Sequence, residues 1–131
     1  MKISMDMMKK NDGLSGRVKK IEKMFPGAEE VSAIDFKSAV GFEGAVNFIF
    51  SFVGESREKD LFSQVRHLAP EGKTFWEAWN WLFQEKAEAG YEYSMSLISF
   101  EGKREALDRY ASILGRIKIA EEIFDAAFSD Y

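Results

Sequence analysis

Catalytic potential in this chain rests on few side chains, and their spacing narrows it further. His67 is the only histidine, so it is the only side chain whose ordinary pKa lies near neutrality. General acid or base work by His67 would require a pocket around it. Asp35 and Lys37 stand two positions apart and would share a face of a strand, as a Mg²⁺-dependent nuclease needs for a metal ligand beside an ammonium. The same acid-x-Lys spacing recurs at Glu71/Lys73 and Glu101/Lys103, and no second acidic ligand accompanies it. A solvent-facing ion pair is the simpler reading. One histidine and no cysteine leave no zinc pattern, no disulfide and no thiol nucleophile. No EF-hand, P-loop or dinucleotide fingerprint is present. The sequence implies no metal site and no cofactor.

The three tryptophans fall within six positions of the segment TFWEAWNWLFQEKAEA, residues 74–89. Wound as a helix, Phe75, Trp76, Trp79, Leu82 and Phe83 share one apolar face. Trp81 lies about 200° from Trp79 around that helix, among Glu77, Glu85 and Glu88. A tryptophan set among carboxylates needs a cover, either from the same domain or from a partner.

Charge is split along the chain. Residues 1–25 hold seven Lys/Arg against three Asp/Glu, a net of +4, and the remainder holds eleven against nineteen, a net of −8. A basic N-terminal segment is thus joined to an acidic body. The basic face consists of Arg17, Lys19, Lys20 and Lys23. It could pack on the acidic body, stay solvated, or reach a partner.

Periodicity indicates the secondary structure on which these side chains stand. Leu14, Val18, Ile21 and Phe25 recur at helical spacing before Pro26-Gly27. Ile34, Phe36, Ser38 and Val40 alternate, as do Val46, Phe48, Phe50 and Phe52 after a Gly41–Gly44 turn, so two strands are expected. A helix over 33–42, capped by Ser32 with Asp35 three residues on, is the competing reading. Leu61, Val65, Leu68 and Ala69 mark a helix ending at Pro70. Thr74 and Glu77 form a capping box for the tryptophan helix, which is expected to close at Gly90. Tyr91, Tyr93, Met95 and Leu97 alternate as a third strand. Residues 103–128 read as one long helix or two hinged at Gly115, with Leu107, Tyr110, Leu114, Ile117, Phe124 and Phe128 on one face. Ile119 and Ile123 form a second apolar strip beside Arg116, buried in the fold or used for self-association.

These readings predict an α+β fold: a small three-stranded, at least partly antiparallel sheet packed with four to five helices in the order α-β-β-α-α-β-α. Residues 1–12 would be a flexible basic N-terminal arm and 13–131 a single domain. The expected function is that of a small acidic protein-binding module, cytoplasmic, of inhibitor, immunity-type or adaptor kind. It would occupy the surface of a protein partner with a basic face. Trp81, Glu77, Glu85 and Glu88 would form the partner patch, and Ile119 with Ile123 a homodimer contact. The alternative is a small enzyme or ligand-binding domain with an aromatic-lined pocket, metal-dependent through Asp35/Lys37. The acidic body argues against nucleic acid, and no membrane partner is expected.

Overall fold

A computed structural model of the chain describes residues 1–11 and 14–129. Among these the backbone is mostly helical, with seven α-helices and one antiparallel pair of three-residue strands. The three-stranded α+β expectation is therefore corrected to a helical architecture with a two-stranded sheet. Backbone proximity divides the chain into two compact units, Met1–Val53 with Asp125–Tyr131, and Gly54–Phe124.

In the first unit, β1 (Lys2–Ser4) pairs with β2 (Glu30–Ser32), with Ile3 opposite Val31. Helix α1 (Met5–Lys9) starts where the Ser4 hydroxyl accepts the Met7 N–H at 3.1 Å, a side-chain cap for an otherwise orphaned donor. Ile3, Met5 and Met8 are buried, so the segment expected as an arm carries core side chains. The expected boundary between residues 12 and 13 lies outside the described residues. Helix α2 (Ser15–Met24) buries Val18 and Ile21, with Leu14 just ahead of it, as its stripe requires.

The two expected strands are helices α3 (Ala33–Val40) and α4 (Phe42–Ile49). Ser32 decides the first. Its hydroxyl accepts the Asp35 N–H at 3.1 Å, and Ala33, Phe36 and Val40 are then buried at i, i+3 and i+7, a helical period that the apparent alternation concealed. In α4 the apolar density is so high that both periods fit; Ala45, Val46, Phe48 and Ile49 are all buried. A short apolar run of this kind cannot be assigned by periodicity alone. Gly41, with φ +87°, is the joint between two helices, a left-handed position that suits glycine. The Phe36 and Phe48 rings meet at 5.2 Å. Burial of each such ring contributes about 1.5–3 kcal/mol.

The second unit begins with α5 (Glu55–Val65), which buries Leu61 and Val65 and passes into a 3₁₀ turn at Arg66–Leu68. Helix α6 (Phe75–Ser99) opens on the expected capping box: Thr74 N–H donates to Glu77 Oε1 at 2.9 Å and Glu77 N–H to Thr74 Oγ1 at 3.4 Å. It does not close at Gly90. The expected third strand is its continuation, and the burial of Ala89 and Ser96 shows a spacing of seven, a helical seam. The helix stops at Phe100, whose φ is +61°. Helix α7 (Lys103–Phe128) then runs unbroken through Gly115, and belongs to this unit as far as Phe124. Ala106, Ile113, Ile117 and Ala120 are buried on α7, while Leu107 and Leu114 of the expected face are exposed. Helices α6 and α7 touch where the Tyr93 and Tyr110 rings meet at 5.8 Å. Among the described residues, no helix is long and apolar enough to cross a membrane.

Candidate functional site

The flank of α6 that carries Trp81 also carries Glu85, Glu88 and Glu92, at offsets of four, seven and eleven residues, so all four fall within about 60° on the helix. Across from them α7 presents Arg109 and Arg116, two turns apart on one side. Arg109 gathers all three carboxylates. Its Nε donates to Glu85 Oε1 at 2.5 Å and its Nη2 to Glu85 Oε2 at 3.0 Å, a bidentate pair. Nη2 is also 3.5 Å from Glu88 Oε2, and Nη1 is 2.7 Å from Glu92 Oε2. The hydrogen bonds from Arg109 hold the Glu85 carboxyl below the usual carboxylate range, and the same bonds raise the pKa of the guanidinium.

Trp81 is half-buried, less exposed than Trp76 and more than Trp79. The Arg116 guanidinium lies 5.8 Å from its ring centroid, within cation–π range, and donates through Nη1 to the Leu68 carbonyl at 3.3 Å. Trp81, Glu85, Arg109 and Arg116 border a shallow cleft of about 220 Å³. The cover over Trp81 thus comes from α7. Of the expected partner patch, Glu85 and Glu88 are brought beside Trp81, while Glu77 is engaged in the capping box, and its carboxyl is held low chiefly by the Thr74 N–H.

The other expected groups scatter. On α3, Asp35 and Lys37 are separated by about 200°, so the shared face that a strand would have provided does not exist. Asp35 is exposed, and Lys37 Nζ is 2.6 Å from Asp125 Oδ1. Arg17 donates to the Val40 carbonyl at 3.0 Å, at the C-terminal end of α3, where a cation also suits the helix dipole. Lys19, Lys20 and Lys23 are exposed on α2. Ile119 is exposed and Ile123 half-buried. No group of three or more acidic, histidine or cysteine side chains is placed to hold a metal among the described residues.

Two surfaces were not anticipated. Tyr91, Met95 and Ile98 recur at i, i+4 and i+7 on α6, about 100–180° around the helix from the buried Ala89 and Ser96, and Tyr91 and Ile98 are 68% and 72% exposed. Phe100, 86% exposed, follows at the turn. Glu88 and Glu92 stand along one edge of this strip. The signal was present as a helical spacing, but it becomes visible only once α6 is continued through Gly90. The second surface is a cavity of about 600 Å³ at the α5–α6 connection, bordered by Phe62, Arg66, His67, Pro70 and Lys73 among others. It supplies the pocket around His67 that periodicity could not reveal.

No protein-family model, curated protein or solved structure matches this chain.

Proposed function

We propose that this chain is a protein-binding module, of inhibitor, immunity-type or adaptor kind, that works by occupying a partner's surface with the outer side of α6 and the turn after it. The observation that carries this reading is the strip of Tyr91, Met95 and Ile98, continued by Phe100. Large apolar side chains at helical spacing on the side opposite a buried seam contribute nothing to that seam, and contiguous exposed apolar surface marks interaction sites. The four side chains expose on the order of 500 Å², a substantial part of the ~800 Å² per partner of a standard interface.

Glu85, Glu88 and Glu92 share the single guanidinium of Arg109, which leaves the edge of the strip with an excess of negative charge. That supports a partner with an apolar face bordered by Lys or Arg, in keeping with the net −8 of residues 26–131, since complementary charge speeds encounter and rejects wrong partners. Trp81 with Glu85 serves this reading as a rim, braced by Arg109 and Arg116. The proposed setting is the cytoplasm, which a cysteine-free chain suits.

Affinity capture from cells with the parent chain and with a Tyr91→Glu, Ile98→Glu variant tests the reading. Both positions are exposed, so the variant should fold. A partner held by the parent and remeasured in purified form should lose at least about tenfold in affinity for the variant, roughly 1.4 kcal/mol. Equal binding by the two chains would remove the strip from the interface.

A further inference from the structure

We propose that the cavity at the α5–α6 connection is a binding site for a small organic phosphate, with the anionic head on Arg66, His67 and Lys73 and an apolar or aromatic body against Phe62 and Pro70. The inference is separate from the protein-binding reading.

About 600 Å³ lies within the range of small-molecule sites and exceeds what a bare inorganic anion fills. The chain folds so that nitrogen-bearing side chains from both ends of one connection return to this space. Arg66 and His67 stand on the 3₁₀ turn, Ala69 is extended, and Gly72 takes φ +84°, a left-handed turn residue that directs the chain back so that Lys73 borders the same cavity. Glu71 is the one carboxylate on the wall.

Exposed lysines such as Lys19, Lys20 and Lys23 are also unpartnered among the described residues; what separates this cluster is that its unpartnered cations border one cavity. Arg17, Lys37, Arg109 and Arg116 are engaged with carbonyls or carboxylates. The side chains of Arg66, His67 and Lys73 make no hydrogen bond or ion pair among the described residues; Lys73 has only a longer-range attraction to Glu77. Glu77 is itself occupied by the Thr74 N–H. A guanidinium fork, an ammonium and an imidazole bordering one concavity without internal partners match a phosphate, whose several oxygens accept from all three. The N-terminus of α6 is closed by its capping box, so side chains carry the recognition.

The remaining wall sets the rest of the ligand. Phe62 is half-buried and held edge-on by Phe75 at a ring separation of 6.5 Å, and Pro70 stands across the connection. These surfaces suit a flat apolar body attached to the phosphate.

Isothermal titration at low salt with phenyl phosphate, inorganic phosphate, benzoate and phenol tests the proposal. Phenyl phosphate should bind with one site per chain, at least about tenfold tighter than any of the other three. An Arg66→Gln, Lys73→Gln variant, whose circular dichroism should match the parent, should weaken phenyl phosphate at least about tenfold. If that variant fails to fold, each single substitution read alone should still weaken binding. Absence of saturable heat with phenyl phosphate would overturn the proposal, as would equal affinity for inorganic phosphate or benzoate. So would unchanged binding by folded variants.

Discussion

A Cβ placed on Gly90 would stand 3.3 Å from the Tyr110 ring, which in turn meets the Tyr93 ring at 5.8 Å. Gly90 is therefore a contact between α6 and α7 and not a helix stop. It costs α6 up to about 1 kcal/mol of helix propensity relative to alanine, and the close approach of the two helices offsets that loss.

A β-branched residue at this position should show the constraint. Gly90→Val should destabilise the fold by roughly 1–3 kcal/mol, the usual cost of overpacking, read as a lower urea midpoint. In a Tyr110→Ala background the same substitution should cost less, because the ring it strikes is gone. Equal costs in both backgrounds would place the strain elsewhere.

Arg109 gives a pH-dependent prediction. Its hydrogen bonds hold the Glu85 carboxyl below the usual range, so the folded chain binds that proton less readily than the unfolded chain. The resulting stabilisation is complete above the unfolded carboxylate pKa and is lost as pH falls through the lower folded value. Thermal melts should show Arg109→Met less stable than the parent at neutral pH, with the gap closing in acid. A gap that persists unchanged in acid would assign the loss to packing of the arginine stem.

Phe100 combines a left-handed backbone with 86% exposure. A bulky residue there carries strain of about 1–2 kcal/mol that glycine avoids. Phe100→Gly should therefore raise the urea midpoint or leave it unchanged, while reducing affinity for the partner that the strip binds. A clear loss of stability would mean that the ring packs in the fold.

Much of the helical content was legible because its stripes are long or its caps are explicit. Leu14, Val18 and Ile21 announced α2, Thr74 with Glu77 announced the start of α6, and residues 103–128 announced α7. The strands failed for identifiable reasons. Residues 34–40 alternate in hydropathy, yet the Ser32 cap and the 33/36/40 spacing outweighed that pattern. Residues 91–97 alternate because Tyr91 and Met95 of the exposed side of α6 interleave with Tyr93, which meets Tyr110 of α7, and the mixture mimics a strand. The same error hid the strip of Tyr91, Met95 and Ile98, since a strand would have divided those residues between two faces. It also hid Glu92 from the acidic set on Arg109. Trp76, on the apolar stripe of the sequence, is exposed, while Trp81, off that stripe, is half-buried; its cover, Arg116, lies thirty-five positions along the chain and no local pattern points to it.

A protein partner seated on the outer side of α6 should be captured there by a photo-crosslinking side chain introduced in cells. Placed at Ile98, it should form one discrete adduct with another protein on irradiation. Placed at Lys59, an exposed position on α5, it should form none. No adduct from Ile98, or the same adducts from both positions, would mean that no partner sits on this side of α6; an adduct consisting of two copies of this chain would make the strip a dimer contact instead.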